Sequence, residues 1–331
     1  MTFDEAMTFQ AEFCEQGGAP VTARVCRALA AGLDRTTATG RRVHDWPGNR
    51  IADAMPLRLV APYHALFRKG AIPAFDTVEA IRAATAAHDD WICGWLDGPP
   101  QTNEPARSAS FMAALLVLAD RFGLPFELLE IGSSAGLNLL IDRYRYDLGG
   151  SVAGPERSPV LIEPAWRGSP PPQADVRIAS VRGVDIAPID VTDPAAAERL
   201  MGYVWIDAPE RIARVEAAIR MIRERPVDMV QGDAADWVEA RLTEPQATGS
   251  ARVLMHSIVW QYLSPGGQAR ITAAMEAAGA AATRDRPLAW VRMEADTERK
   301  TIQLHMTAWP GGQVEHRAAV HPHGAWLEWL A

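Results

Sequence analysis

Cysteine is scarce in this chain: Cys14, Cys26 and Cys93 are an odd three among 331 residues, with no C-x-x-C pair. A disulfide framework and a thiolate zinc site of the usual spacing are therefore excluded. Long apolar runs are missing too. No stretch approaches the roughly 20 apolar residues that span a bilayer, and the opening MTFDEAMTFQAEF lacks the basic-then-apolar order of a signal peptide. Positive charge is in deficit, with 33 Lys+Arg against 41 Asp+Glu and a net charge of -8. That speaks against a general nucleic-acid binder, which neutralises phosphates with basic patches. The expectation is a cytoplasmic protein without membrane or nucleic-acid partner.

What is present is an ordinary globular composition, 48% hydrophobic and 22% charged, without internal repeats. The first 120 residues read as helices between Pro/Gly loops: 3–16, 20–33, about 51–69, 76–96 and 105–122. In the last, Ser108 or Ser110 can cap the start, Phe111, Leu115, Leu118 and Phe122 share a face, and Gly123 stops it. From Pro125 short apolar runs alternate with amphipathic helices, the pattern of a parallel sheet covered on both faces. Strands are expected at 126–131, 176–185, 227–231, 253–259, 288–294, 301–309 and 314–320, with helices at 207–224, through Trp237 and at 265–282. A further helix is expected after residue 136, with Leu137, Leu140, Ile141 and Tyr144 on one face. Residues 146–175, rich in Pro and Gly, read as an inserted excursion, and no helix is expected around 295–300. The organisation expected is a helical lid or substrate domain over 1–123 and an α/β domain over 124–331.

The strongest chemical signal is Glu130-Ile131-Gly132-Ser133-Ser134-Ala135-Gly136-Leu137-Asn138, set between an expected strand and an expected helix. Glycines let the backbone turn tightly and approach a ligand. The G-x-x-x-G spacing lacks the middle glycine of the dinucleotide fingerprint, which disfavours a nicotinamide cofactor. A carboxylate two residues before the first glycine suits S-adenosylmethionine, whose amino group is cationic. Glu130, Gly132, Ser133, Ser134, Gly136 and Asn138 are therefore candidate cofactor-binding residues. The same run also fits G-x-S-x-G, with Ser134 as a hydrolase nucleophile and Asp233 and His305 as partners.

In an open α/β sheet ligands lie at the carboxyl ends of strands. Asp185 ends the second strand, where it can accept ribose hydroxyls, and Gly232, Asp233 and Ala234 follow the third, where they can read an adenine edge; Asp233 is equally a helix cap. His256 and Ser257 interrupt the fourth strand's apolar run, and Trp260, Gln261 and Tyr262 follow. His256 fits either a hydrogen-bonded core position or a general base. The polar segment Gln101–Ser108 can fold over the cleft, with Asn103 and Arg107 toward substrate and Glu104 as second candidate base. His316, His321 and His323 have no carboxylate companion at fixed spacing, so no metal site is expected.

QTNEPARS, LLEIGSSAGLNLLIDRYRY, RGVDIAPIDV, QGDAADW and HSIVWQYL, in that order over about 100–265, resemble the bacterial family called domain of unknown function 2332. The resemblance implies a Rossmann-like class I methyltransferase fold, a seven-stranded mixed sheet, with S-adenosylmethionine as cofactor and a small-molecule substrate. It supplies no identity for that substrate. Two departures stand out: some 48 residues separate Gly136 from Asp185 where one helix is usual, and no Asn/Asp-Pro-Pro-Tyr run follows the fourth strand. A non-catalytic binding protein with the same fold is the alternative from a different class.

Overall fold

The computed structural model describes residues 1–296 and 301–330. In chain order its α-helices are α1 (Phe3–Gln16), α2 (Pro20–Gly32), α3 (Ala38–His44), α4 (Met55–Arg68), α5 (Val78–Gly94), α6 (Ser108–Phe122), α7 (Pro194–Gly202), α8 (Pro209–Glu224), α9 (Ala234–Thr243) and α10 (Pro265–Ala280). The strands are β1 (Phe126–Ile131), β2 (Arg145–Leu148), β3 (Ser151–Ala153), β4 (Leu161–Ile162), β5 (Ala165–Arg167), β6 (Ile178–Asp185), β7 (Asp228–Gln231), β8 (Ala251–Ser257), β9 (Leu288–Asp296), β10 (Thr301–Trp309), β11 (Gln313–Val320) and β12 (Trp326–Trp329). Among the described residues no helix is long and apolar enough to cross a membrane.

The chain forms two compact units, Met1–Thr102 with Val191–Glu216, and Asn103–Asp190 with Ala217–Ala331. The sequence placed the break near residue 123; the structure divides the chain at Asn103, so α6 belongs with the sheet. The first unit is helical. Phe3, Ala6, Met7, Ala11 and Cys14 recur at helical spacing and are buried along α1, and its start carries a reciprocal Thr2–Glu5 capping box. Residues 191–216 return to this unit for a physical reason. The N-terminus of α2 has no side-chain cap of its own, and Asp207 accepts from Val21 N at 2.7 Å and Thr22 N at 2.9 Å.

The second unit is α/β, built on one mixed sheet in the order β5-β12-β11-β10-β9-β8-β1-β6-β7. The seven strands expected from sequence are all in it, but the sheet has nine. β12 pairs with β11, and β5 pairs parallel to β12. Both are short, and β5 lies inside the segment read as an excursion, which also yields a separate three-stranded sheet, β3-β2-β4. β7, β6, β1, β8 and β9 are mutually parallel, whereas β10 to β12 form an antiparallel meander. The region around 295–300 falls partly on 297–300, outside the described residues; on either side Asp296 and Thr301 are antiparallel partners.

The helix expected after the glycine-rich turn does not form. The chain makes one 3-10 turn, Leu137–Leu140, and then enters β2. Two tyrosines explain the stop. The Tyr144 hydroxyl donates to Leu137 O at 2.7 Å, and that of Tyr146 to Ile141 O at 3.2 Å, so carbonyls that a helix would pair with N–H groups four residues on are satisfied from the side. Both rings are fully buried, and their burial outweighs helical propensity over so few residues. Neither Ser108 nor Ser110 caps α6. Ser108 donates instead to Pro105 O and meets the Tyr146 hydroxyl.

Candidate functional site

β1 ends at Ile131, and strand order reverses there: β6 and β7 lie to one side, β8 and β9 to the other. Such a switch point leaves a crevice at the carboxyl ends of the strands, and the glycine-rich turn sits on it. Gly132 has φ +69°, Ser134 +54° and Gly136 +74°, left-handed conformations that glycine adopts without a Cβ clash. An added carbon at Gly132 would come 2.4 Å from Val259 Cγ2, and one at Gly136 2.8 Å from Val227 Cγ2. These glycines are needed for packing against the protein itself.

Accounting for the turn's polar groups separates donors from acceptors. Val184 O accepts from Gly132 N and Ser133 N, and Ser133 O accepts from Gly136 N. Asp185 Oδ2 accepts from Ser134 N at 2.8 Å, and Asn103 Oδ1 from Leu137 N at 2.6 Å. Five N–H donors are thereby occupied. Three side-chain oxygens able to accept, Glu130 Oε2, Ser134 Oγ and Asn138 Oδ1, are buried without a partner. Burial pushes the Glu130 carboxyl up to about 8; hydrogen bonds from Ser133 and Asn138 pull it down, the Asp185 charge raises it, and Arg107 lowers it.

Asp185 links two segments of the backbone. Besides Ser134 N it accepts from Ala187 N at 2.9 Å, and so ties the end of β6 to the turn. Gly232 N donates to Asp185 O at 3.0 Å, which brings Gly232, Asp233 and Ala234 to the same edge. Asp233 caps α9, its Oδ1 accepting from Ala235 N and Asp236 N. Asp207 lies in the first unit as the cap of α2.

At the end of β8, His256 is wholly buried. Its Nδ1 meets Glu294 Oε1 at 2.6 Å, its Nε2 accepts from the Trp290 indole at 3.0 Å, and its ring stacks on Trp260 at 5.2 Å. Both nitrogens are engaged, so His256 stands among the satisfied core histidines. Glu294 is the residue the sequence reading missed. Its carboxylate also accepts from Val259 N at 3.2 Å and Trp260 N at 3.3 Å, holding the turn in which Ile258 takes a left-handed φ of +53°. Val259, fixed in this way, packs on Gly132. The only hint was an acid between Arg292 and Asp296, at the end of a strand that is apolar up to Val291. Ser257 is buried; Gln261 and Tyr262 are exposed.

The polar segment does come to the turn, through Asn103. Glu104 is buried and its Oε1 accepts from Ala106 N, capping the 3-10 turn Pro105–Arg107. Burial pushes the nearby Tyr144 hydroxyl well up, and Tyr146 and Glu104 add to the shift. Arg107 Nε donates to Pro322 O at 2.8 Å. Asn103, Glu104, Glu130, Ser133, Ser134, Asn138, Tyr144 and Asp185 thus gather around one turn, while His256 lies behind its wall. Of the hydrolase partners, Asp233 follows β7 and His305 lies on β10, five strands away and about 24 Å across the sheet. They cannot share a hydrogen bond. His316 stacks on His305 across β10 and β11, and among the described residues no group of three or more His, Cys, Asp or Glu is placed to hold a metal ion.

No curated protein and no solved structure matches the chain. A family model does match, over residues 4–329, nearly the whole length and both units. The chain therefore belongs to the family described as an uncharacterised protein conserved in bacteria, DUF2332.

Proposed function

We propose that the glycine-rich turn binds S-adenosylmethionine and that the protein transfers its methyl group to a small molecule. The observation that carries this reading is the imbalance at the turn, with five N–H donors occupied and three buried acceptors unpartnered. A pyrophosphate needs N–H donors, so a dinucleotide suits the turn poorly. An ammonium group needs acceptors. Glu130, Ser134 and Asn138 would hold the amino group, and Asp185 with Gly232–Ala234 would face ribose and adenine. The parallel strands β7-β6-β1-β8-β9 follow the order 3-2-1-4-5 of a doubly wound nucleotide-binding sheet, which supports reading the unit as a Rossmann-like class I methyltransferase fold lengthened by the meander and β5.

When bound, the cofactor supplies an electrophilic methyl group on a sulfonium. The chain's part is placement and exclusion of water more than acid–base chemistry. His256 has no open nitrogen and Glu104 caps a turn, so neither is required as a base in this reading. A cytoplasmic location suits the cofactor.

Calorimetric titration with S-adenosylmethionine, S-adenosylhomocysteine and NADH tests the proposal. Micromolar binding of the first two and none of the third is expected. Formation of S-adenosylhomocysteine on incubation with candidate acceptors separates a transferase from a non-catalytic binder. Ser134 sustains a second reading, because its left-handed backbone and unpartnered hydroxyl resemble a nucleophile elbow. Silence from all three ligands together with labelling of Ser134 by a fluorophosphonate would replace the methyltransferase by a hydrolase.

A further inference from the structure

The carboxyl edge of β9 opens on a second concavity, contained wholly in the second unit. Ala295 and Asp296 end β9, Ile302 lies at the start of β10, Val320 ends β11, and Pro322 and Trp326 close the far side. Register makes this a single surface. Ala295 pairs with Ile302, and Ile302 with Val320, so three apolar side chains form a row on one face of the sheet. The cavity measures about 420 Å³, inside the roughly 300–1,000 Å³ range of small-molecule sites. Asp296 is the charged residue in an otherwise mostly apolar lining, and water held there gains little hydrogen bonding in return for covering apolar surface.

Two observations connect this cavity to the turn. Glu130 pairs with Met255 and Met255 with Val291, and Ala295 lies four residues beyond Val291 on the same face of β9. Two strand spacings and four residues of rise put Ala295 roughly 16 Å from Glu130 along that face. One short segment also braces both places: Asn103 accepts from Leu137 N in the turn, and Arg107 donates to Pro322 O in the cavity wall.

We infer that the cavity holds a flat apolar group, of the size of one or two fused rings, belonging to the molecule that receives the methyl group. The inference rests on the S-adenosylmethionine reading of the turn. Trp326 supplies an aromatic wall, with His321 edge-on to it at 6.0 Å, and ring ligands are held by such surfaces through offset or edge contacts. The acceptor is accordingly elongated, with its nucleophilic end toward β1 and β8 and its ring system over β9 to β11.

The test uses the full-length protein with ¹³C-labelled Ala, Ile and Val methyls, titrated with 2-naphthol and separately with S-adenosylhomocysteine. Saturating shifts at Ala295, Ile302 and Val320 are expected. Ala295→Phe, at an exposed position, fills the cavity, and Ile302→Asp makes it polar. Each should weaken 2-naphthol at least about ten-fold and leave S-adenosylhomocysteine affinity within about two-fold. Shifts confined to other methyls, or unchanged naphthol affinity in Ala295→Phe, would overturn the inference even if Ile302→Asp fails to fold. Naphthol binding here without S-adenosylhomocysteine binding would sink the cofactor reading, and with it the ring's place in a methyl acceptor, and leave the cavity as a ring site; the reverse would sink the cavity assignment alone.

Discussion

Replacing Glu130 with glutamine isolates the electrostatics of the turn. In the ligand-free protein burial holds this carboxyl at about 8, so it is mostly neutral at pH 7, whereas an ammonium ligand favours its ionised form. Binding therefore requires loss of a proton, and affinity should climb with pH. Between about pH 5.5 and 7.5 the ionised fraction rises from about 0.3% to about 24%, a gain in affinity of up to roughly 75-fold. The ligand's own α-amino group, with a pKa near 7.7, still holds its proton in about 60% of molecules at pH 7.5, which trims the expected gain to roughly 45-fold. Calorimetry with S-adenosylmethionine in buffers of different ionisation enthalpy reads both the slope and the released proton, and Glu130→Gln should flatten the slope and abolish the release. The same group predicts a stability profile. The unfolded chain ionises near 4.5 and the folded one near 8, so in this interval the folded state binds more protons and stability falls as pH rises, by about 1.4 kcal/mol per unit. Glu130→Gln removes that fall, which amounts to about 4 kcal/mol at pH 7.5. A wild-type affinity that is flat with pH, or a glutamine variant with the same slope, would refute the reasoning.

Four further outcomes follow from particular contacts. Gly132→Ala should destabilise by about 1–2 kcal/mol or more from its left-handed φ together with the clash on Val259, and Val259→Ala in that background should recover part of the loss; additive losses in urea unfolding would show that the clash is not the cause. Asp185→Ala strips the acceptor from Ser134 N and Ala187 N and should cost about 1–3 kcal/mol of stability as well as cofactor affinity, so an unchanged unfolding midpoint would contradict this geometry. Glu294→Gln should cost a similar amount, about 1–3 kcal/mol, and alter the near-ultraviolet circular dichroism of Trp260 and Trp290; an unchanged spectrum would remove Glu294 from the wall. His64 in the first unit is held neutral, its pKa pushed down to about 4 chiefly by burial. Below 6.5 the unfolded chain takes up a proton that the folded one refuses, so stability drops as pH falls from 6.5 to 4, by up to about 3 kcal/mol, and His64→Leu should remove that drop in unfolding curves taken across the range.

The sequence by itself determined the elements whose cause is local. β1 and β10 span the residues expected of them, 126–131 and 301–309, α1 follows its capping box and heptad-like apolar face, and Gly132, Ser134 and Gly136 mark a turn because the backbone there must go left-handed. Glu130 and Asp185 were legible from their places at the ends of strands, and Ser134 and Asn138 from the glycines beside them. Tertiary structure decided the rest. Residues 137–144 have a good helical face, yet Tyr144 and Tyr146 satisfy the carbonyls from outside and bury their rings, which no periodicity reveals. Asp207 serves a helix end 186 residues away, and with it 191–216 joins the first unit. Glu294 and His256 lie on neighbouring strands 38 positions apart, so in sequence nothing sets the acid that holds the wall apart from the charges beside it, Arg292 and Asp296. β5 and β12 are too short to announce themselves and exist because an edge is there to pair with. Local propensity is set by neighbours in the chain, whereas the partner of a buried polar group is set by whatever the fold brings beside it.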